Sequence, residues 1–207
     1  MRSQKHKSDC KDGFLFVANE LVLDFLNTRP VLEGKPVELL TDFAALLRWF
    51  QAADVLNPQQ FNHLLRTSGG TTKAHKTTES MWELRESLRK EISAWERGEA
   101  LSLSTIANLN TMMAAHPVRT RLTAHPSAYT TDLWFELREP EGLFAPLAYS
   151  AVRLFTEADP KRVRKCDQCV LHFHDTSKKG TRRWCSMQLC GNRLKVAAYA
   201  ARRRRHA

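Results

Sequence analysis

Cys166, Cys169, Cys185 and Cys190 form two close thiol pairs, Cys-x2-Cys and Cys-x4-Cys, with fifteen residues between them. Two such pairs joined by a loop are the pattern that closes a tetrahedral thiolate cage on zinc. Four sulfurs leave no coordination position for water, so the predicted role is structural: one Zn2+ that staples a small segment. Two alternatives stay open in the spacing itself. His172 or His174, just after Cys169, could replace a thiolate, and the four thiols could instead pair as disulfides. The first ten residues are polar and charged, without the apolar stretch of a secretory signal, and no run of 18 apolar residues exists. A cytoplasmic protein is expected on those grounds, and a reducing compartment favours metal over disulfides. Cys10 is left as a spare thiol.

The thiol pairs lie in the most basic part of the chain. Residues 161–207 carry 14 Lys and Arg against Asp167 and Asp175, a net of +12, whereas the other 160 residues carry 18 basic and 20 acidic groups, a net of −2. The formal charge of +10 therefore belongs to the cysteine segment. Such asymmetry predicts a polyanion partner, DNA first and RNA as the alternative; a third reading is an adaptor whose zinc shapes a protein-docking surface. The expected phosphate contacts are Lys178, Lys179, Arg182 and Arg183 between the thiol pairs, and Arg202, Arg203, Arg204 and Arg205 near the end. Arg193 and Lys195 follow the last cysteine, two apart and so roughly 200° around a helix, which keeps both from facing one groove. Arg193 is the candidate for a base edge, or else a donor to carbonyls of the zinc knuckle. Asp175 is expected to orient Arg182 or cap the Thr176–Ser177 turn, and Trp184 to form the small core under the metal. One short finger reads few bases, which favours a homodimer on DNA.

These residues need a scaffold, and a 47-residue cationic segment cannot bury enough apolar surface to fold without a staple. The first roughly 155 residues can, given the chain's apolar fraction of 43%. Phe14, Phe16 and Ala18 alternate like a short strand, and Leu21 to Leu26 fits either strand or helix. Thr41 or Asp42 caps a helix with Phe43, Leu46, Leu47 and Phe50 on one face, and Asn57-Pro58 opens the next. Residues 67–76 read as a Gly/Thr-rich loop. Met81, Leu84, Leu88, Ile92 and Trp95 then align on a helix that Gly98 ends, and Ser104 caps another with Ile106, Leu109 and Met113 inward. Residues 119–137 read as a β-hairpin, and a last helix runs from about Ala145 to Ala158.

The expected fold class is α+β: a predominantly helical N-terminal domain with a few short strands, then a small four-cysteine zinc module followed by a basic helix to Arg205. The expected divisions are a disordered basic tail at 1–12, the body at 13–158 and the zinc module at 161–207. Asp24, Asn27 and Thr28 have two readings: they line a pocket for a small-molecule effector, or they cap and turn the backbone. The sequence contains no His-Glu-x-x-His, no Gly-x4-Gly-Lys-Ser/Thr loop and no Gly-x-Gly-x-x-Gly turn, so an enzyme is not expected.

The stretch around the thiols resembles the CGNR zinc finger proteins. The matching residues are Phe173, Asp175-Thr-Ser177, Arg182-Arg-Trp-Cys-Ser-Met187 and Cys190-Gly-Asn-Arg193, followed by Lys195 and Tyr199. The first pair is more closely spaced here than is usual in that family. Leu21-Val-Leu-Asp-Phe-Leu-Asn-Thr28, the capped helix after it and the helix leading to Arg162-Val-Arg-Lys-Cys166 are similar to the family's N-terminal ABATE domain. The resemblance implies a bacterial stress-induced transcriptional regulator that binds DNA through its zinc finger.

Overall fold

The computed structural model describes residues 9–32, 34–126 and 128–191. The described chain begins with a two-residue hairpin, β1 (Cys10–Lys11) against β2 (Phe14–Leu15), so the expected tail is already ordered from Asp9. Lys11 anchors it by donating to Ala52 O and Asp54 across the fold. The Leu21–Leu26 stretch is a helix, α1. A strand would present alternate faces, but Val22, Leu23, Phe25 and Leu26 are all fully buried, as suits a short helix enclosed on nearly every side. The hairpin β3 (Val31–Leu32) and β4 (Lys35–Pro36) turns at Gly34, whose φ of +80° favours a residue without Cβ.

Two capped helices follow. Asp42 accepts the Ala45 amide at 2.7 Å to start α2 (Phe43–Ala52), and Asn57 with Gln60 forms a reciprocal capping box at the head of α3 (Pro58–Ser68). The loop expected over ten residues is only Gly69–Thr71, because Thr71 caps α4 (Thr72–Glu96) a full turn earlier than composition suggests. Ser102, not Ser104, caps α5 (Leu103–Ala115), and Glu91 of α4 fixes that serine through its hydroxyl and its amide. Leu109 is buried as expected, while Ile106 lies on the exposed side. The hairpin β5 (Arg119–His125) and β6 (Ala128–Trp134) is antiparallel throughout and leaves Leu122 and Tyr129 in solvent. Then α6 (Phe144–Glu157) leads through a 3-10 turn at Pro160–Arg162 into β7 (Val163–Lys165), which pairs with β8 (His172–His174).

The architecture is thus predominantly helical with small separate hairpins, and no strand pair among the described residues joins another into a larger sheet. One core gathers around Trp49, with Phe25, Phe50 and Met81. The other starts at Val22, Leu23, Leu88, Ile92 and Leu154 and continues without a break into Val163, Leu171, Phe173 and Cys185. The zinc module is therefore packed on the body rather than strung after it. No helix among the described residues is long and apolar enough to cross a membrane.

Candidate metal centre

The β7–β8 hairpin presents the first thiol pair at its turn. The Cys166 amide donates to Leu171 O at 2.9 Å, closing a tight knuckle around Cys169. The second pair is held by a π-type turn, Met187–Gly191, whose entry is fixed by Ser186. The Ser186 hydroxyl receives the Gln188 and Leu189 amides and itself bonds Asp9 at the start of the described chain. Those two substructures bring Cys166, Cys169, Cys185 and Cys190 together with all four sulfurs within 4.8 Å of one another.

Geometry and protonation both fit a metal. A zinc tetrahedron with bonds of about 2.3 Å has sulfur–sulfur edges near 3.8 Å. The Cys169–Cys185 and Cys185–Cys190 separations are 3.6 Å, and Cys190–Cys169 is 3.7 Å. A disulfide needs about 2.05 Å, so none of these sulfur pairs is bonded. A hydrogen bond from Cys185, with others from the remaining thiols, pulls the Cys169 pKa down to about 5, and the same bond pushes Cys185 up. Burial pushes Cys190 up to about 12. Left to themselves, these sulfurs favour a thiolate at Cys169 and thiols at Cys185 and Cys190. A divalent cation at their centre supplies the charge that lets the others ionise.

His172 and His174, the competing ligands, both lie in β8 and outside the four-sulfur cluster. His172 is buried against α4, where Nε2 lies 3.7 Å from Glu96, and His174 faces Glu20 at 3.4 Å.

Asp24, Asn27 and Thr28 are buried, and none of them lines the cavity between the body and the metal module. Asp24 accepts the Val17 and Ala18 amides, both at 2.9 Å, and fixes the turn into α1. Thr28 donates to Phe25 O and accepts from Arg85. Asn27 reaches the zinc module: it accepts the His172 amide at 2.8 Å and donates to His172 O at 2.9 Å. These two bonds complete the outer edge of β8 as a further strand would. The sequence carries no periodic signal for such a clasp, because its partner lies 145 residues away.

The basic residues divide into two groups. Arg182 is half-buried and turned inward. It donates to the carbonyls of Trp184, Val17 and Cys185, and its guanidinium lies 4.4 Å from the Phe173 ring centroid. Asp175 accepts the Ser177 and Arg182 amides, so it both caps the turn and sets Arg182 in place. Arg162 and Arg164, which composition alone places among the free cations, also donate to carbonyls of the 175–182 loop. Gly180 permits this approach: its φ is +60°, and a Cβ there would meet the Arg162 guanidinium at 3.2 Å. Lys178, Lys179 and Arg183 remain exposed, Arg183 being paired to Asp167 and lying over Trp184 at 5.1 Å. Arg193, Lys195 and Arg202 to Arg205 lie outside the described residues.

Residues 162–203 match the CGNR zinc finger, and residues 19–158 match ABATE, the family described as "Putative stress-induced transcription regulator". No curated protein matches the chain. The finger and the four-cysteine cluster together indicate one structural zinc ion. With more than half of its 207 residues covered by the first match, the chain belongs to the ABATE family and carries a CGNR zinc finger at its C-terminal end.

Proposed function

We propose that this protein is a non-catalytic, zinc-dependent DNA-binding regulator that acts in the cytoplasm. Cys166, Cys169, Cys185 and Cys190 all ligate the ion, residues 13–158 serve as the body and residues 161–207 as the DNA-binding part. The observation that carries the proposal is the charge division: a segment of +12 built around a metal knuckle, on a body of −2. The hydrogen bonds of the module support a choice among these cations. Arg162 and Arg164 bond carbonyls of the 175–182 loop and Arg182 those of Val17, Trp184 and Cys185, so they shape the module and contribute only their field. Lys178 and Lys179 extend from the loop between the thiol pairs, with Arg183 beside them, and are assigned to phosphates. Arg193, Lys195 and Arg202 to Arg205 are assigned to the same surface, with Arg193 at a base edge and a homodimer as the unit that reads two half-sites.

The test is binding of the zinc-loaded protein to the duplex upstream of its own coding sequence, against scrambled duplex and structured RNA, over a salt series. A regulator prefers the upstream duplex and loses that preference on chelation, with a log–log salt slope of roughly −0.9 per neutralised phosphate. Preference for the RNA, or a flat salt response, overturns the assignment to DNA.

A further inference from the structure

A cavity of about 310 Å3 opens on the seam where the body meets the zinc module. The body contributes Arg29, Glu86, Arg89 and Ser93; the module contributes Lys165 and His172. Apolar walls come from Val31 and Pro36 on one side and Val170 on the other. The volume is at the small end for ligand pockets, which run from roughly 300 to 1,000 Å3. Three cations line it against one carboxylate, an excess of two positive charges.

Behind the lining stands one further carboxylate, Glu96, 3.7 Å from His172 Nε2 and near enough to Lys165 for their charges to interact. Glu86 is the one acid on the lining, and it is shared among Arg29 at 3.3 Å, Arg85 at 3.3 Å and Arg89 at 3.2 Å. Arg85 has its own partner in Glu38, which leaves Arg29 and Arg89 with a single carboxylate between them. His172, in the lining, is only 2% exposed; its Nε2 lies 3.7 Å from Glu96 Oε1, and neither ring nitrogen makes a hydrogen bond among the described residues. Buried polar atoms are almost always paired, so the unbonded imidazole leaves polar capacity beside the cationic cavity. Lys165 stands opposite His172 in the strand register, so its ammonium and the imidazole belong to the same patch of the module.

We infer that this seam is the binding site for a small organic carboxylate, its head on Arg29, Arg89 and Lys165 and its short apolar body against Val31, Pro36 and Val170. Guanidiniums match a carboxylate in charge and in their planar fork, and the apolar walls select against a bare inorganic anion. A bound carboxylate joins α4 to the β7–β8 hairpin and so ties the body to the metal module. The site deepens the regulator reading by supplying its effector, yet occupancy is measured on the protein alone and stands or falls without DNA.

The test is calorimetric titration of the full-length zinc-loaded protein with benzoate and succinate. Benzamide, succinamide and inorganic phosphate are run in parallel. Saturable binding of a carboxylate with a Kd below about 1 mM, and none of its amide, is expected. Arg29→Gln and Lys165→Met each weaken it roughly tenfold or more, and Ser93→Phe, which fills the cavity without changing charge, abolishes it. Arg29 and Lys165 are peripheral enough that the thermal midpoint of both variants stays near that of the parent, which separates lost contacts from lost fold. The inference is overturned if neither carboxylate saturates, if phosphate binds as well as they do, or if binding survives Ser93→Phe. DNA affinity at saturating carboxylate then reports the coupling as a separate quantity: a change supports an effector role, and no change rejects that role alone.

Discussion

Asn27→Ala tests whether the zinc module is fastened to the body or merely lies beside it. Asn27 is 2% exposed and makes two hydrogen bonds to the backbone of His172, at 2.8 and 2.9 Å. Alanine leaves a buried N–H and a buried C=O without partners, each costing about 1–3 kcal/mol. A destabilisation of about 3 kcal/mol follows. For a chain of this size that corresponds to a fall in melting temperature of about 6–12 °C. The measurement is urea unfolding of the zinc-loaded protein followed by far-ultraviolet dichroism, with metal release to a chromophoric chelator read in the same samples. Both should move together, since the clasp holds β8 of the metal hairpin. Asn27→Asp keeps the acceptor but loses the donor and adds a buried charge, so it should be at least as damaging. A change below about 0.5 kcal/mol for Asn27→Ala, within the range of ordinary surface substitutions, would refute the clasp and reopen the view of Asn27 as a ligand-pocket residue.

Chelation should unfold more than the finger: because one core runs from Val22 to Cys185, zinc removal is expected to lower the melting temperature of α1 and α6 as well, seen as loss of amide protection in both helices. Arg182→Ala should cost about 2–3 kcal/mol in stability, since it removes donors from three carbonyls, while leaving the salt slope of DNA binding nearly unchanged. The double change Lys178→Ala with Lys179→Ala should do the reverse, holding stability and reducing the slope by up to about 1.8. Glu96 gives a pH prediction. Burial, opposed by Lys165 and Arg97, raises its carboxyl to about 7, so its folded form takes up protons that the unfolded chain does not. Its contribution to stability is full below its ordinary value near 4.5 and is lost as pH rises through about 7. Glu96→Gln should therefore be neutral at pH 4 and stabilising by about 3 kcal/mol above pH 8, a gain measured as a pH series of denaturant midpoints. His172 works in the opposite direction: burial, with Arg89 and Lys165 close by, lowers it to about 4, so its contribution is lost as pH falls from 6.5 towards that value.

The metal centre is legible in the sequence because its ligands come in local pairs, and local spacing survives folding. The helices are legible for the same reason: Asp42 and Asn57 announce α2 and α3, and the Met81–Leu88–Ile92 stripe announces α4. What escapes sequence reading is whatever depends on partners far along the chain. Asn27 looks like any turn asparagine until His172 arrives beside it. Arg162 and Arg164 count as free charge until the 175–182 loop offers its carbonyls. Leu21 to Leu26 cannot be assigned by periodicity because every position from Val22 to Leu26 is buried, and only the surrounding helices decide between strand and helix. The cationic seam has no motif at all, since its lining is drawn from three separate stretches of chain.

The unbroken core between α6 and Phe173 means that the finger is not a cassette. Grafted elsewhere, residues 161–207 would expose Val163, Leu171 and Phe173 and lose the edge supplied by Asn27; trimmed away, they would bare Val22 and Leu23 on the body. Zinc starvation or thiol oxidation is then felt as a shortage of the protein itself. Proteases clear whatever opens, so the cell's zinc supply sets how many copies persist before it sets how tightly any copy binds.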